Sequence, residues 1–107
     1  MPLNRRIPCL ICYDIADPKR LARLHRKLAR EAVMVQYSVY YCELTAAAIE
    51  RIKEMIAGII DPGADDVRIY TLPERFDLAL IGQPANDSLP VLRRRANLRK
   101  VEDGPCP

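Results

Sequence analysis

The sequence has no tryptophan, one phenylalanine and one histidine. Its core must therefore come from Ile, Leu, Val, Ala and Tyr, and a histidine-based catalytic dyad or triad has a single imidazole to draw on. There are four glycines, and none falls in a glycine-rich phosphate or ligand loop. No apolar run approaches the roughly 20 residues of a membrane-spanning helix. Pro2, Asn4, Arg5 and Arg6 leave no apolar leader segment at the start. The expectation is a cytoplasmic protein in a reducing compartment, with no membrane. No repeat of solenoid length is present.

Of the four cysteines, Cys9 and Cys12 form a C-x-x-C. Here it lies inside a strand pattern, which sends the two thiols to opposite faces. A redox pair wants a helix N-terminus, and a zinc knuckle wants a second pair with matching spacing. Cys42 and Cys106 do not supply one. These cysteines read as small hydrophobes.

What is present is half hydrophobic, enough for one domain core in 107 residues. The formal net charge is +3, unevenly placed: Lys and Arg gather in 19–30 and 93–100. Local basic stretches are the electrostatic footprint of a polyanion partner.

Along the chain, the run I-P-C-L-I-C-Y-D over 7–14 reads as a buried strand ending at Tyr13-Asp14. Asp17-Pro18 opens a helix over 18–31, with an acidic N-cap and proline at the first helical position. Leu21, Leu24 and Leu28 share one face of it. Lys19, Arg20, Arg23, Arg26, Lys27 and Arg30 fall within about a third of the wheel at ~100° per residue. His25 flanks the apolar side and reads as a boundary histidine without a catalytic role. Residues 33–44 have strand composition, as one bent strand or as two short strands joined by a tight bend or bulge. Thr45 caps a helix over 46–60, with Ile49, Ile52, Ile56 and Ile59 on its apolar face. Residues 66–72 and 78–81 read as strands. Residues 83–107 contain Pro84, Pro90, Pro105, Pro107 and the run Arg93-Arg94-Arg95, and read as a C-terminal tail docking on a partner protomer or another subunit.

This order predicts one domain over 1–82. Its fold class is α+β: a ferredoxin-like two-layer sandwich, an antiparallel sheet with two helices on one face. The bare sheet face then invites a second copy. Asp14 sits at a strand tip just before a helix N-terminus, where ligands collect in α/β layers.

Y-D-I at the strand tip, D-P-K-R opening a basic helix, V-Q-Y-S-V-Y in the next strand and V-R-I-Y-T-L further on form a set. With that set, residues 7–82 resemble the CRISPR-associated endoribonuclease two family, the small subunit of the CRISPR adaptation complex. The resemblance implies a ferredoxin-like fold and a homodimer with sheets face to face, the last strand often crossing to the partner. It implies work beside the larger integrase subunit, holding DNA for insertion into the CRISPR array. For some members it implies metal-dependent cleavage of RNA or DNA. Carried over by position, the strand-tip carboxylate is Asp14, preceded by Tyr13; the basic helix positions are Arg20 and its neighbours; the Q-x-S-V serine is Ser38. Glu31-Ala32 replaces a glycine common in the family, and Tyr40-Tyr41-Cys42 stands for its F-E-G.

The site expectations follow. Asp14 is the candidate catalytic residue and metal ligand. One carboxylate is a poor Mg²⁺ site, so the expected Mg²⁺ (or Mn²⁺) is shared between the two protomers, each giving an Asp14. Asp17 is the weaker acidic candidate, explained by capping. The candidate nucleic-acid set is Tyr13, Lys19, Arg20, Arg23, Arg26, Lys27, Arg30 and Ser38, on duplex DNA or single-stranded RNA. Tyr13 and Ser38 also have ordinary packing explanations. A scaffold for spacer acquisition and a Mg-dependent endonuclease are compatible readings. The alternatives are a toxin-type ribonuclease of the virulence-associated ferredoxin-like family, or a non-enzymatic regulatory dimer.

Overall fold

The computed structural model describes residues 4–84 and 89–101. Its elements run β1 (Ile7–Asp14), α1 (Pro18–Leu28), β2 (Val33–Gln36), β3 (Val39–Leu44), α2 (Ala46–Ala57), β4 (Asp66–Thr71), β5 (Phe76–Ile81), α3 (Leu89–Arg93) and β6 (Ala96–Val101). The first six form the ferredoxin-like sandwich. Four strands pair in the order β2-β3-β1-β4, and every pairing is antiparallel.

The hydrophobic run of β1 places it at the centre, between β3 and β4. Alternation along the strand sends Cys9, Ile11 and Tyr13 to the helix-covered core. They meet Leu24 and Leu28 of α1 and Ala48, Ile49, Ile52 and Ile56 of α2. Leu10, Cys12 and Asp14 therefore lie on the opposite face. Both helices begin where the caps dictate. The Asp17 carboxylate accepts from the Arg20 N–H at 3.0 Å, with Pro18 in the first turn. Thr45 Oγ1 accepts from the Ala48 N–H at 3.2 Å. α1 stops at Leu28, short of residue 31, because the Arg30 and Glu31 amides bond in tight turns to Lys27 and Leu28. Ile59 lies just past α2 and still enters the core.

The 33–44 stretch resolves into two strands. They turn at Tyr37-Ser38, where Ser38 has φ 68°, and the register shifts between Met34 and Gln36. Ser38 accepts a hydrogen bond through its carbonyl from the Tyr13 amide at 3.1 Å, which ties this turn to the tip of β1.

Two features differ from the sequence expectation. The strand over 78–81 begins at Phe76 and leaves the main sheet. The stretch read as an irregular tail holds α3 and β6, and β6 pairs in parallel with β5, Phe76 opposite Ala96 through Ile81 opposite Val101. Proline content and a short, charged strand (A-N-L-R-K-V) hid this pairing. Residues 85–88 and 102–107 lie outside the described residues. The β5–β6 unit rests on the bare face of the main sheet through Tyr41 and Phe76, ring centroids 6.1 Å apart. Glu43 ties it further, with Arg95 Nε at 3.4 Å and Arg94 at 4.0 Å. Tyr41 is thereby 1% exposed despite facing away from the helices. The molecule is flat, 49 × 39 × 21 Å, with a radius of gyration of 15.5 Å. A compact chain of this length would have about 13 Å, so the C-terminal unit extends the outline.

Candidate functional site

The tip of β1 is set by the sheet. Asp14 is its last residue, exposed, and directly opposite Asp66 at the start of β4. Among the described residues the Asp14 side chain has no hydrogen bond or ion pair. Asp66 is paired with Arg68 Nε at 3.1 Å, which offsets the like-charge contact across the ladder. Sequence reading missed Asp66, because only the register puts it there. No group of three or more His, Cys, Asp or Glu residues among the described residues forms a metal cage. The donors at the tip are two carboxylates, hard oxygens of the kind Mg²⁺ takes with much of its water shell retained.

Tyr13, beside Asp14, points the other way. It is 6% exposed, and its Oη lies 2.6 Å from His25 Nε2 in a hydrogen bond. The two rings meet edge-to-face at 5.3 Å, with Tyr40 at 6.1 Å from each. Burial pushes the Tyr13 phenol up to about 12. Its place in the nucleic-acid set is corrected on this ground: strand alternation buries it in the core. His25 is the boundary histidine expected, and its partner is this phenol.

Ser38 is also corrected in part. It contributes its backbone, as a left-handed corner whose carbonyl anchors Tyr13. Among the described residues its hydroxyl makes no hydrogen bond.

The basic face of α1 divides. Lys19, Arg23 and Arg26 are exposed, Lys27 is half-buried, and Arg30 is exposed in the turn just beyond the helix. None of these five makes an ion pair among the described residues. Arg20 is different. Its Nε and Nη2 donate to Asp65 at 2.8 and 3.1 Å. The Asp65 side chain is fully covered, and it accepts from the backbone amides of Ala16 and Asp61 as well, at 2.9 and 2.8 Å. These donors, Arg20 above all, hold the Asp65 carboxyl well below the usual carboxylate range. Sequence reading missed Asp65: its partners lie 45 and 49 residues away in the chain.

One chain therefore does not bring all the candidates together. The cations face outward on the helix layer, while Asp14 points from the opposite face of the sheet. That face also presents Leu10, Cys12, Val39, Val33 and Tyr70, joined in register across the strands; Val33 is 40% and Tyr70 46% exposed. Cys9 and Cys42 oppose each other across β1 and β3 inside the core, 0% and 3% exposed, and both are free thiols. Cys12 is half-buried on the other face. That separation excludes a C-x-x-C redox centre.

Comparison with known proteins agrees with this geometry. A chain named CRISPR-associated endoribonuclease Cas2 2, from Thermodesulfovibrio yellowstonii, is 43% identical over 77 residues, covering 72% of this chain and 85% of the relative. One from Nitrosomonas europaea, CRISPR-associated endoribonuclease Cas2 1, is 45% identical over 75 residues, covering 70% and 71%. Among solved structures, Streptococcus pyogenes Cas2 superposes with a TM-score of 0.58 at 32% identity, over 62% of this chain and 86% of that one. A hypothetical protein from Thermus thermophilus reaches 0.69 at 26% identity, over 76% and 96%. The family model described as CRISPR associated protein Cas2 matches residues 8–78. That span holds the strand tip, the cationic helix and the four-stranded sheet together, and on it the chain belongs to the Cas2 family.

Proposed function

We propose that this chain acts in CRISPR adaptation as a homodimeric nucleic-acid-binding scaffold, alongside the larger integrase subunit. The observation behind this reading is the unpaired set Lys19, Arg23, Arg26 and Lys27 on the outer side of α1, with Arg30 in the turn just beyond it. Such a set neutralises phosphates, releases counterions and binds backbone with little sequence preference. Nothing in it resembles a base-reading helix. Family membership supports the CRISPR role. The part of that sheet face left open beside the β5–β6 unit, with Val33 and Tyr70 exposed, supports a second copy stacked on the first, which leaves both cationic helices pointing outward.

A second reading has its own support, the unpaired Asp14 at an exposed tip facing Asp66. Asp14, with the same residue of a second copy or with Asp66, would hold Mg²⁺ or Mn²⁺. When bound, such a metal polarises a phosphoryl oxygen and makes a bound water more acidic. The work of the chain is then to hold Asp14 solvent-facing at the strand tip while the core anchors Tyr13 on the other face. The relatives named above carry endoribonuclease in their names, and we extend that activity to this chain.

One assay tests both readings. Duplex DNA and single-stranded RNA are incubated with wild type and Asp14→Ala, in Mg²⁺ or EDTA, and duplex binding is followed against salt. The scaffold predicts equal, salt-sensitive duplex binding by both proteins. The nuclease predicts cleavage that needs both metal and Asp14. Salt-insensitive binding would sink the first reading; cleavage that survives Asp14→Ala or EDTA would sink the second.

A further inference from the structure

The Arg20–Asp65 pair is a fully served carboxylate. A carboxylate offers about four acceptor positions. Asp65 fills them with four donors: Arg20 Nε, Arg20 Nη2, the Ala16 amide and the Asp61 amide, all between 2.8 and 3.1 Å. Three segments meet on it: the loop two residues past Asp14, the first turn of α1, and the turn that follows α2. The fork-on-carboxylate geometry is the strong, bidentate form of the contact.

Arg20 keeps N–H groups outside the fork, but its charge is already answered by Asp65, and a phosphate that took it as a free cation would have to pull the fork away. It would leave a covered carboxylate, Asp65, facing two backbone amides with no counter-charge. Displacing a well-formed pair in this way costs more than an exposed contact returns. Lys19, Arg23, Arg26, Lys27 and Arg30 carry no such cost.

We infer that Asp65 selects which cations of α1 meet a polyanion, by holding Arg20 out of the phosphate-binding set. Asp65 is a specificity-determining residue for nucleic-acid binding that never touches the nucleic acid. It masks one charge in the first turn of the helix and leaves the phosphate contacts to Lys19, Arg23, Arg26, Lys27 and Arg30. The same contacts register α1 against the strand tip, so the mask and the brace are one feature. This inference rests on the reading of α1 as the polyanion-binding face.

The test is the salt dependence of duplex binding. The full chain is titrated onto a fluorescently labelled random-sequence DNA duplex by anisotropy across a KCl series. The slope of log K against log salt counts the phosphates neutralised, at about 0.9 per contact. Arg23→Ala is expected to make the slope shallower by about 0.9 for each copy touching the duplex. Arg20→Ala is expected to leave it at the wild-type value. Asp65→Asn is expected to steepen it by about 0.9 per copy, as Arg20 is released. The double variant Asp65→Asn/Arg20→Ala is expected to return to wild type, a cancellation that a purely structural role would not produce. If Asp65→Asn does not fold by circular dichroism, Arg20→Ala against Arg23→Ala still decides the matter. A slope for Arg20→Ala as shallow as that for Arg23→Ala overturns the inference. So does a steepening by Asp65→Asn that persists in the double variant, or no steepening in a folded Asp65→Asn. If Arg23→Ala leaves the slope unchanged, α1 is not the binding face, and both the reading and the inference built on it fall.

Discussion

Replacing Ser38 by glycine should stabilise the protein. Ser38 is the only non-glycine residue at positive φ among the described residues, at 68°. An L-residue with a side chain loses roughly 1–2 kcal/mol there. Glycine removes that strain but gives the unfolded chain more freedom, which returns about 0.5–1 kcal/mol. The net lies between about 0 and 1.5 kcal/mol, centred near 0.75. At roughly 4–8 °C per kcal/mol for a domain of this size, the melting temperature should rise by about 3–6 °C. The anchor to the strand tip survives, because it runs from the Tyr13 amide to the Ser38 carbonyl. Duplex binding should therefore be unchanged. Ser38→Val should do the reverse, since a β-branched side chain suits the left-handed region worst. Thermal melts by circular dichroism and anisotropy binding of the three proteins are the assay. A Ser38→Gly protein that loses about 1 kcal/mol or more, or binds duplex tenfold more weakly, would refute the reasoning. It would return the Ser38 hydroxyl to the binding set.

Ile11, 0% exposed at the centre of the core, should cost about 2–5 kcal/mol when cut to alanine, as read from urea unfolding. Asp65 gives the fold an acid dependence. Its folded value is depressed, so its contribution is complete above the ordinary 3.8 of an aspartate and is lost as pH falls below it. Urea midpoints between about pH 5 and pH 2 should fall more steeply for wild type than for Asp65→Asn, and parallel curves would contradict this. Glu43→Ala removes the carboxylate that meets Arg94, Arg95 and the Tyr41 hydroxyl. Small-angle scattering should then show a radius of gyration above that of wild type at equal oligomeric state, with faster proteolysis across 73–75.

The sandwich was legible because its signals are local. The β1 run, the two capped helices and the D-V-R-I-Y-T strand each declare themselves within a few residues. Asp14 was legible for the same reason, as the end of an apolar run before a capped helix. The break in 33–44 was not placed, because its turn uses Tyr37-Ser38, with no Gly, Asn or Pro to mark the left-handed corner. β6 was missed because its partner β5 lies 20 positions earlier and the pairing is parallel, so composition carries no trace of it. The cationic stripe was legible from helical spacing, but the engagement of one member within the fold was not. Helical spacing places Arg20 among its neighbours, and only the tertiary approach of Asp65 shows that its charge is already answered. Tyr13 was misplaced by adjacency: next to Asp14 in the chain, it is across the sheet from it in space.

The length of α1 has a consequence of its own. Its 11 residues rise about 1.5 Å each, some 16 Å in all. Laid along a duplex, that distance holds roughly ten phosphates, or about five base pairs. Under the proposed scaffold role, one copy would then span about half a turn of DNA, and in a dimer the separation of two such helices would set the length of any longer fragment held.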